Sequence, residues 1–137
     1  MLALIADDEP GLLRIMVRLC TQAGLRTAAF ADGPALLDAA RTLRPDLVIS
    51  DLNMPGDRDG LQACICIRAI LPDTAFIIMT GNILRITEIQ DQGFSNILLK
   101  PFTTQEVVDL IAVAIQRPFA IIRAQDTLPP CNEDPRP

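Results

Sequence analysis

Four apolar runs in this chain stop at a residue that can do chemistry. Leu2-Ala3-Leu4-Ile5-Ala6 runs into Asp7-Asp8, and Leu47-Val48-Ile49-Ser50 into Asp51. Ala75-Phe76-Ile77-Ile78-Met79 ends at Thr80, and Ile97-Leu98-Leu99 at Lys100. Three carboxylates brought close together repel and raise one another's pKa, and a divalent cation relieves that repulsion. Carboxylate and carbonyl oxygens suit a hard ion, and Mg²⁺ takes one or two carboxylates together with waters and phosphate oxygens. An ammonium and a hydroxyl beside such an ion complete a phosphoryl-transfer set. An aspartate can then serve as the nucleophile and become an acyl phosphate. Asp51 is the better candidate for that part, because the adjacent Asp7 and Asp8 suit metal ligation together. Each piece has a plainer use when taken alone. An Asp pair before a helix caps it, Asp51 or Thr80 caps a turn, and Lys100 before a proline is a solvated side chain.

The chemistry needs a frame that brings these run ends together, and the chain spells one. The apolar runs lack alternation, as strands buried on both faces of a parallel sheet do. Between them lie segments of helical period. Asp8 or Glu9, with Pro10 next, opens the first helix, whose apolar residues are Leu12, Leu13, Ile15, Met16, Leu19 and Cys20 before Gly24. Arg26–Phe30 predicts a weak second strand, and Asp32-Gly33-Pro34 opens a helix with Leu36, Leu37, Ala40 and Leu43 as its apolar face. The third strand is expected over 46–52, followed by a Pro, Gly and Asp loop over 53–60 and a helix over 61–71. The fourth strand spans 74–80, and 83–92 makes a poorer helix with Ile83, Leu84, Ile86 and Ile89 spread around its axis. The fifth strand spans 96–100. Thr103 or Thr104 caps a last helix that buries Val107, Leu110, Ile111, Ala114 and Ile115.

Strand and helix thus alternate five times, which gives right-handed crossovers and a sheet covered on both faces. The expected class is α/β: a flavodoxin-like, doubly wound, five-stranded parallel sheet of order 2-1-3-4-5 with five helices. In such a sheet ligands bind at the carboxyl ends of the strands where the order reverses, which is where Asp7, Asp8 and Asp51 fall.

With 137 residues, half of them hydrophobic, the chain suits one domain over 1–117. Five of the eleven prolines fall after residue 117, so 118–137 is expected to be a flexible C-terminal extension. Its apolar stretch Phe119–Ile122 suits either packing back on the domain or meeting a partner. The absence of histidine excludes histidine catalysis and histidine-metal sites. A net charge of -5 argues against direct nucleic-acid binding. Cys20, Cys64, Cys66 and Cys131 lack metal-finger spacing and are expected as reduced thiols. No apolar stretch reaches the length of a membrane span, and no charged region precedes the first apolar run, so the expected location is cytoplasmic.

Over residues 1 to 117 the chain resembles the receiver domain of two-component response regulators, of the stand-alone chemotaxis-regulator kind. The resemblance rests on Ala6-Asp7-Asp8-Glu9-Pro10, Asp51-Leu52-Asn53-Met54-Pro55-Gly56, Met79-Thr80-Gly81 and Leu99-Lys100-Pro101-Phe102, in that order and at those spacings. It implies that Asp51 accepts a phosphoryl group and that Asp7 and Asp8 form the acidic Mg²⁺ site, with Asp51 and the Asn53 backbone carbonyl as further ligands. Thr80 would contact the phosphoryl group and turn toward it on activation, Lys100 would pair with it, and the Lys100-Pro101 bond would be cis. Three departures stand out. Ile97 occupies the position, three residues before the lysine, where the family commonly carries Tyr or Phe. The loop Pro55-Gly56-Asp57-Arg58-Asp59-Gly60 is one residue longer than the common pattern. No DNA-binding domain follows in the sequence.

The implied function is a phospho-accepting protein, not an enzyme beyond self-phosphorylation and self-dephosphorylation. A histidine kinase or phosphotransfer protein would supply the phosphoryl group. A downstream protein would meet the fourth helix, fifth strand and fifth helix, through Ile83–Ile89, Ile97 and the last helix. No nucleic acid or membrane is expected as a partner, and the chain is expected as a monomer or a phosphorylation-dependent dimer. The competing readings are a metal-dependent phosphatase on the same sheet, for which the loops offer no substrate pocket, and a receiver fragment of a larger regulator.

Overall fold

The computed structural model describes residues 1–54 and 60–116. Five strands, β1 (Leu2–Ala6), β2 (Arg26–Phe30), β3 (Leu47–Asp51), β4 (Ala75–Thr80) and β5 (Ile97–Leu99), pair in parallel in the order β2-β1-β3-β4-β5. The helices are α1 (Pro10–Gln22), α2 (Gly33–Leu43), α3 (Gly60–Ile70), α4 (Ile86–Asp91) and α5 (Thr104–Gln116). The order agrees with the expectation, and the last three strands are trimmed by a residue at one or both ends. The longer loop after Asp51, Cys131, Phe119–Ile122 and the C-terminal extension fall outside the described residues.

The two faces of the sheet explain why the central strands lack alternation. Leu4, Ala6, Val48, Phe76 and Ile78 point to one core with Leu36, Leu37 and Ala40 of α2, Leu61, Ala63, Cys64 and Ile67 of α3, and Ile89 of α4. Ala3, Ile5, Leu47, Ile49, Ile77 and Met79 point to the other, with Met16, Leu19 and Cys20 of α1 and Val107, Ile111 and Ala114 of α5. Every residue of β3 and β4 is buried, so period 2 carries no polar signal there. β2 is an edge strand and only partly buried, which is why its sequence is the weakest of the five.

Local chemistry sets the helix ends. Asp32 accepts a hydrogen bond from the Ala35 amide at 2.8 Å and starts α2. Thr103, not Thr104, caps α5. Its hydroxyl accepts from the Glu106 amide at 3.1 Å, and the Glu106 carboxylate accepts from the Thr103 amide at 2.7 Å, a reciprocal capping box. Glu9 flanks the start of α1 with Pro10 in the first turn, and Gly24, at φ +91°, follows its end.

Three expectations need correction. Leu43, expected on the apolar face of α2, is 47% exposed at the last residue of the helix. Ile15 lies on the outer flank of α1 and is also exposed. The helix expected over 83–92 divides into a 3-10 turn, Ile83–Arg85, and the short α4. Ile89 is fully buried, Ile86 is half-buried, and Ile83 and Leu84 are exposed at 64% and 86%.

Candidate functional site

β1 and β3 are neighbours at the point where strand order reverses, with Ala6 opposite Ser50. Asp7 and Asp51 therefore leave the sheet side by side. Asp7, Asp8 and Asp51 each offer a carboxylate oxygen, and these oxygens lie within 4.8 Å of one another. Asp7 and Asp51 are buried, while Asp8 is exposed at the rim. Lys100 enters from the other side. Its amide donates to the Thr80 carbonyl at 2.8 Å, which extends the β4–β5 ladder by one residue past Leu99. Its ammonium lies 2.9 Å from Asp51 Oδ2 and 3.6 Å from Asp7 Oδ2. The Lys100-Pro101 bond is cis, as the resemblance implies.

The carboxylate oxygens are unequally used. Asp7 Oδ1 accepts from the Glu9 amide at 2.9 Å, and Asp51 Oδ1 accepts a long bond of 3.4 Å from the Asn53 amide. Asp7 Oδ2 is buried with no hydrogen bond, and among the described residues its ion-pair partner is Lys100, at 3.6 Å. Burial pushes the Asp7 carboxyl above the ordinary range, with the neighbouring Asp51 and Asp8 charges adding to it and the Glu9 amide and Lys100 opposing it. Burial pulls the Lys100 ammonium down, but its hydrogen bond and charge pairing with Asp51, joined by Asp7, outweigh that, and the net shift is upward.

Among the described residues the charges do not balance: three carboxylates face one ammonium, and a buried oxygen lacks a hydrogen bond. A divalent cation fits such a set in charge, in ligand type and in the orphaned oxygen.

Thr80 ends β4 on the same rim, fully buried. Its hydroxyl does not bond to the carboxylates. It accepts from the Asn82 amide at 3.0 Å and lies 3.4 Å from the Asn82 carbonyl, to which it donates. Asn53 is exposed just beyond β3. Ile97 is half-buried, packed on the core that holds Ile89 of α4.

One close contact has no counterpart in the motif reading. Gly60 begins α3 with its amide donating to the Leu52 carbonyl at 3.1 Å. A Cβ there would overlap the Asp51 backbone oxygen and come 2.7 Å from Ser50 Oγ. The signal was present as a glycine at a helix start, but nothing local distinguishes a turn glycine from one pressed on a strand end.

The model of the response regulator receiver domain family matches residues 3–112. The chain belongs to this family. Phosphorylation of an aspartate is the general function of this domain, and receiver domains are generally not enzymes. Among curated relatives, the receiver is 36% identical over 116 residues to the DNA-binding transcriptional regulator NtrC of Klebsiella pneumoniae, covering 83% of this chain and 24% of that protein. It is 31% identical to the DNA-binding response regulator MtrA of Mycolicibacterium smegmatis, covering 83% of this chain and 50% of that protein. The chain thus spans half or less of the length of these relatives. Among solved structures, a response regulator receiver domain protein from Clostridium thermocellum superposes with a TM-score of 0.77 at 28% identity, covering 85% of this chain and 94% of that one. The chemotaxis response regulator CheY4 of Vibrio cholerae shares the fold, with a TM-score of 0.74 at 24% identity, covering 82% of this chain and 96% of that one. No helix among the described residues is long and apolar enough to cross a membrane.

Proposed function

We propose that this receiver accepts a phosphoryl group on Asp51, with Mg²⁺ held by Asp7, Asp8, Asp51 and the Asn53 backbone carbonyl. The observation that carries the reading is the 2.9 Å contact of Lys100 with Asp51 Oδ2 inside a three-carboxylate cluster. Asp51 is buried at the rim beside a fixed positive charge, whereas Asp7 is turned into the Glu9 amide and Asp8 is exposed.

A carboxylate oxygen of Asp51 attacks the phosphorus of a phosphohistidine. The new P–O bond forms as the P–N bond breaks, and the imidazole leaves with the electron pair and takes a proton. Lys100 stabilises the equatorial oxygens that carry the charge, and the Thr80 hydroxyl rotates to donate to one of them. A divalent cation held by these carboxylates would supply Lewis-acid charge neutralisation. Water attack on the acyl phosphate reverses the state, so the chain carries self-dephosphorylation and, with small phosphodonors, self-phosphorylation.

The donor is a histidine kinase or phosphotransfer protein, in the cytoplasm. The output face consists of the turn at Ile83, α4, β5 and α5, where Ile83, Leu84, Leu99, Val108 and Val113 are exposed. A net charge of -5 favours protein over nucleic acid as the partner of that face. We take 1–117 as the receiver unit and 118–137 as a separate extension.

Acetyl phosphate with Mg²⁺ adds one phosphoryl group per chain, readable by intact mass. Asp51→Asn abolishes the adduct. An adduct of undiminished yield in the variant, or turnover of a phosphate ester beyond one equivalent, overturns the reading, the latter in favour of a hydrolase.

A further inference from the structure

Lys100 reaches Asp51 from the least secured strand of the sheet. β5 is an edge strand of three residues, of which Leu98 is buried, Ile97 half-buried and Leu99 exposed. Side-chain burial therefore fixes its place only weakly. It lies on one neighbour, β4, with Ile78 opposite Ile97, Met79 opposite Leu98 and Thr80 opposite Leu99, and the Lys100 amide bonds to the Thr80 carbonyl at the strand's end. Whatever fixes the entry of β5 bears on where the Lys100 ammonium stands.

That entry is held by groups outside β5. Phe94 is buried and meets Phe76 of β4 edge-on, with ring centroids 5.2 Å apart and planes at 73°. The Arg68 guanidinium of α3 lies over the other ring, 4.0 Å from the Phe94 centroid, and donates to the Gln92 carbonyl. Gly93, at φ +90°, passes beside it, and a Cβ there would stand 3.0 Å from Arg68 Nη1. Asn96, the residue before β5, bonds twice to β4. Its carbonyl accepts from the Ile78 amide at 2.9 Å, and its side-chain amide donates to the Phe76 carbonyl at 3.2 Å. The segment 92–96 is thus fastened to α3 through Arg68 and to β4 through Phe76 and Ile78, at the end of β5 opposite to Lys100.

We propose that Arg68, Phe94 and Asn96 form a clamp that sets the place of β5 on β4 and so delivers the Lys100 ammonium to Asp51, which makes Arg68 and Asn96 positioning residues for phosphoryl transfer. The effect on transfer rests on Asp51 as acceptor and Lys100 as its partner, whereas the placing of β5 does not. With the clamp open, β5 frays from β4, the Lys100 amide leaves the Thr80 carbonyl, and the ammonium spends less time on Asp51. The oxygens of an incoming phosphoryl group then meet less positive charge.

Two measurements on the full chain test this: the amide exchange rate of Lys100 relative to Ile49 in the buried β3, by NMR, and the rate of labelling by acetyl phosphate with Mg²⁺, by intact mass. In Asn96→Ala the exchange ratio rises about fivefold, the scale of one lost neutral hydrogen bond, and labelling slows by a similar factor. Arg68→Lys keeps the charge but loses the planar stack, and it moves both readouts in the same direction. In a Lys100→Ala chain, itself slow to label, Asn96→Ala slows labelling no further, because its effect runs through the ammonium. An exchange ratio left unchanged by either substitution overturns the proposal. Equal slowing of labelling by Asn96→Ala with and without Lys100 also overturns it, since a general loosening of the fold acts in both backgrounds. A parent chain that takes no label counts against Asp51 as acceptor, and a Lys100→Ala chain that labels like the parent counts against the part of Lys100 in transfer. In both cases the Lys100 exchange ratio still decides whether the clamp places β5.

Discussion

A lysine ammonium 2.9 Å from Asp51 and 3.6 Å from Asp7 gives the site its polarity. Lys100 orients Asp51 Oδ2 while leaving Asp7 Oδ2 without a donor. The residues that do this were legible as types, since a strand-end carboxylate, hydroxyl or ammonium interrupts an apolar run. Their partners were less so. That the Thr80 hydroxyl bonds to Asn82 depends on the backbone path after β4, which residue identity does not fix. Burial of Cys20 was legible too, from its place on the apolar face of α1, and it has a consequence at high pH. Cys20 is fully buried, and burial pushes its thiol from the ordinary 9.0 up to about 11. The folded state therefore holds the proton more tightly than the unfolded chain does. The stabilisation is present below pH 9 and is lost as pH rises from about 9 to about 11, a contribution of ~2–3 kcal/mol at about 1.4 kcal/mol per pH unit. Urea unfolding midpoints measured across that window should fall in the parent and fall less steeply in Cys20→Ala. Parallel slopes in the two proteins would show that the Cys20 thiolate is not what the folded state resists.

At the scale of elements, packing decided what the sequence could tell. β1, β3 and β4 are buried on both faces and were legible as unbroken apolar runs. The division at 83–92 was not: Ile83–Ile89 read as one poor helix with apolar surface to spare, and residue type alone did not show that Ile83 and Leu84 form an exposed 3-10 turn ahead of a short helix that buries Ile89. Glycines carry the same ambiguity. Gly11 lies in the first turn of α1, where an added methyl would meet nothing within 4 Å, whereas a methyl at Gly60 would overlap the strand that carries Asp51. Gly11→Ala should stabilise the domain by about 0.5–1 kcal/mol through backbone entropy. Gly60→Ala should destabilise it by ~2 kcal/mol or more and depress acetyl-phosphate labelling, because α3 must move off Asp51 or carry Asp51 with it. Denaturant melts on the two variants check the opposite signs. A Gly60→Ala protein as stable as the parent would mean that α3 does not bear on Asp51.

Across the whole molecule, the site joins elements that are far apart in sequence. Asp7 leaves β1, Asp51 ends β3, and Lys100 follows β5, so a ligand bound among them ties the sheet together across its switch point. Without a cation that rim opposes folding. Asp7 is buried with its carboxyl pushed upward, so its contribution favours folding at pH values below the ordinary carboxylate range and is lost as pH rises and the group ionises. At neutral pH the fold therefore carries an unfavourable charge, which Mg²⁺ bound as proposed would relieve. At a hundred times its dissociation constant the ion should add about 2.7 kcal/mol. For a domain of this size that raises the melting midpoint by roughly 10 °C, and chelation should reverse it. Asp7→Asn separates the two effects. It should raise the metal-free midpoint, a gain on the order of 1 kcal/mol, and remove most of the Mg²⁺ increment. Thermal melts at matched ionic strength, with and without Mg²⁺, measure both quantities. A variant that keeps the full Mg²⁺ increment would remove Asp7 from the metal site, and one that loses stability without metal would show that the Glu9 contact outweighs the buried charge.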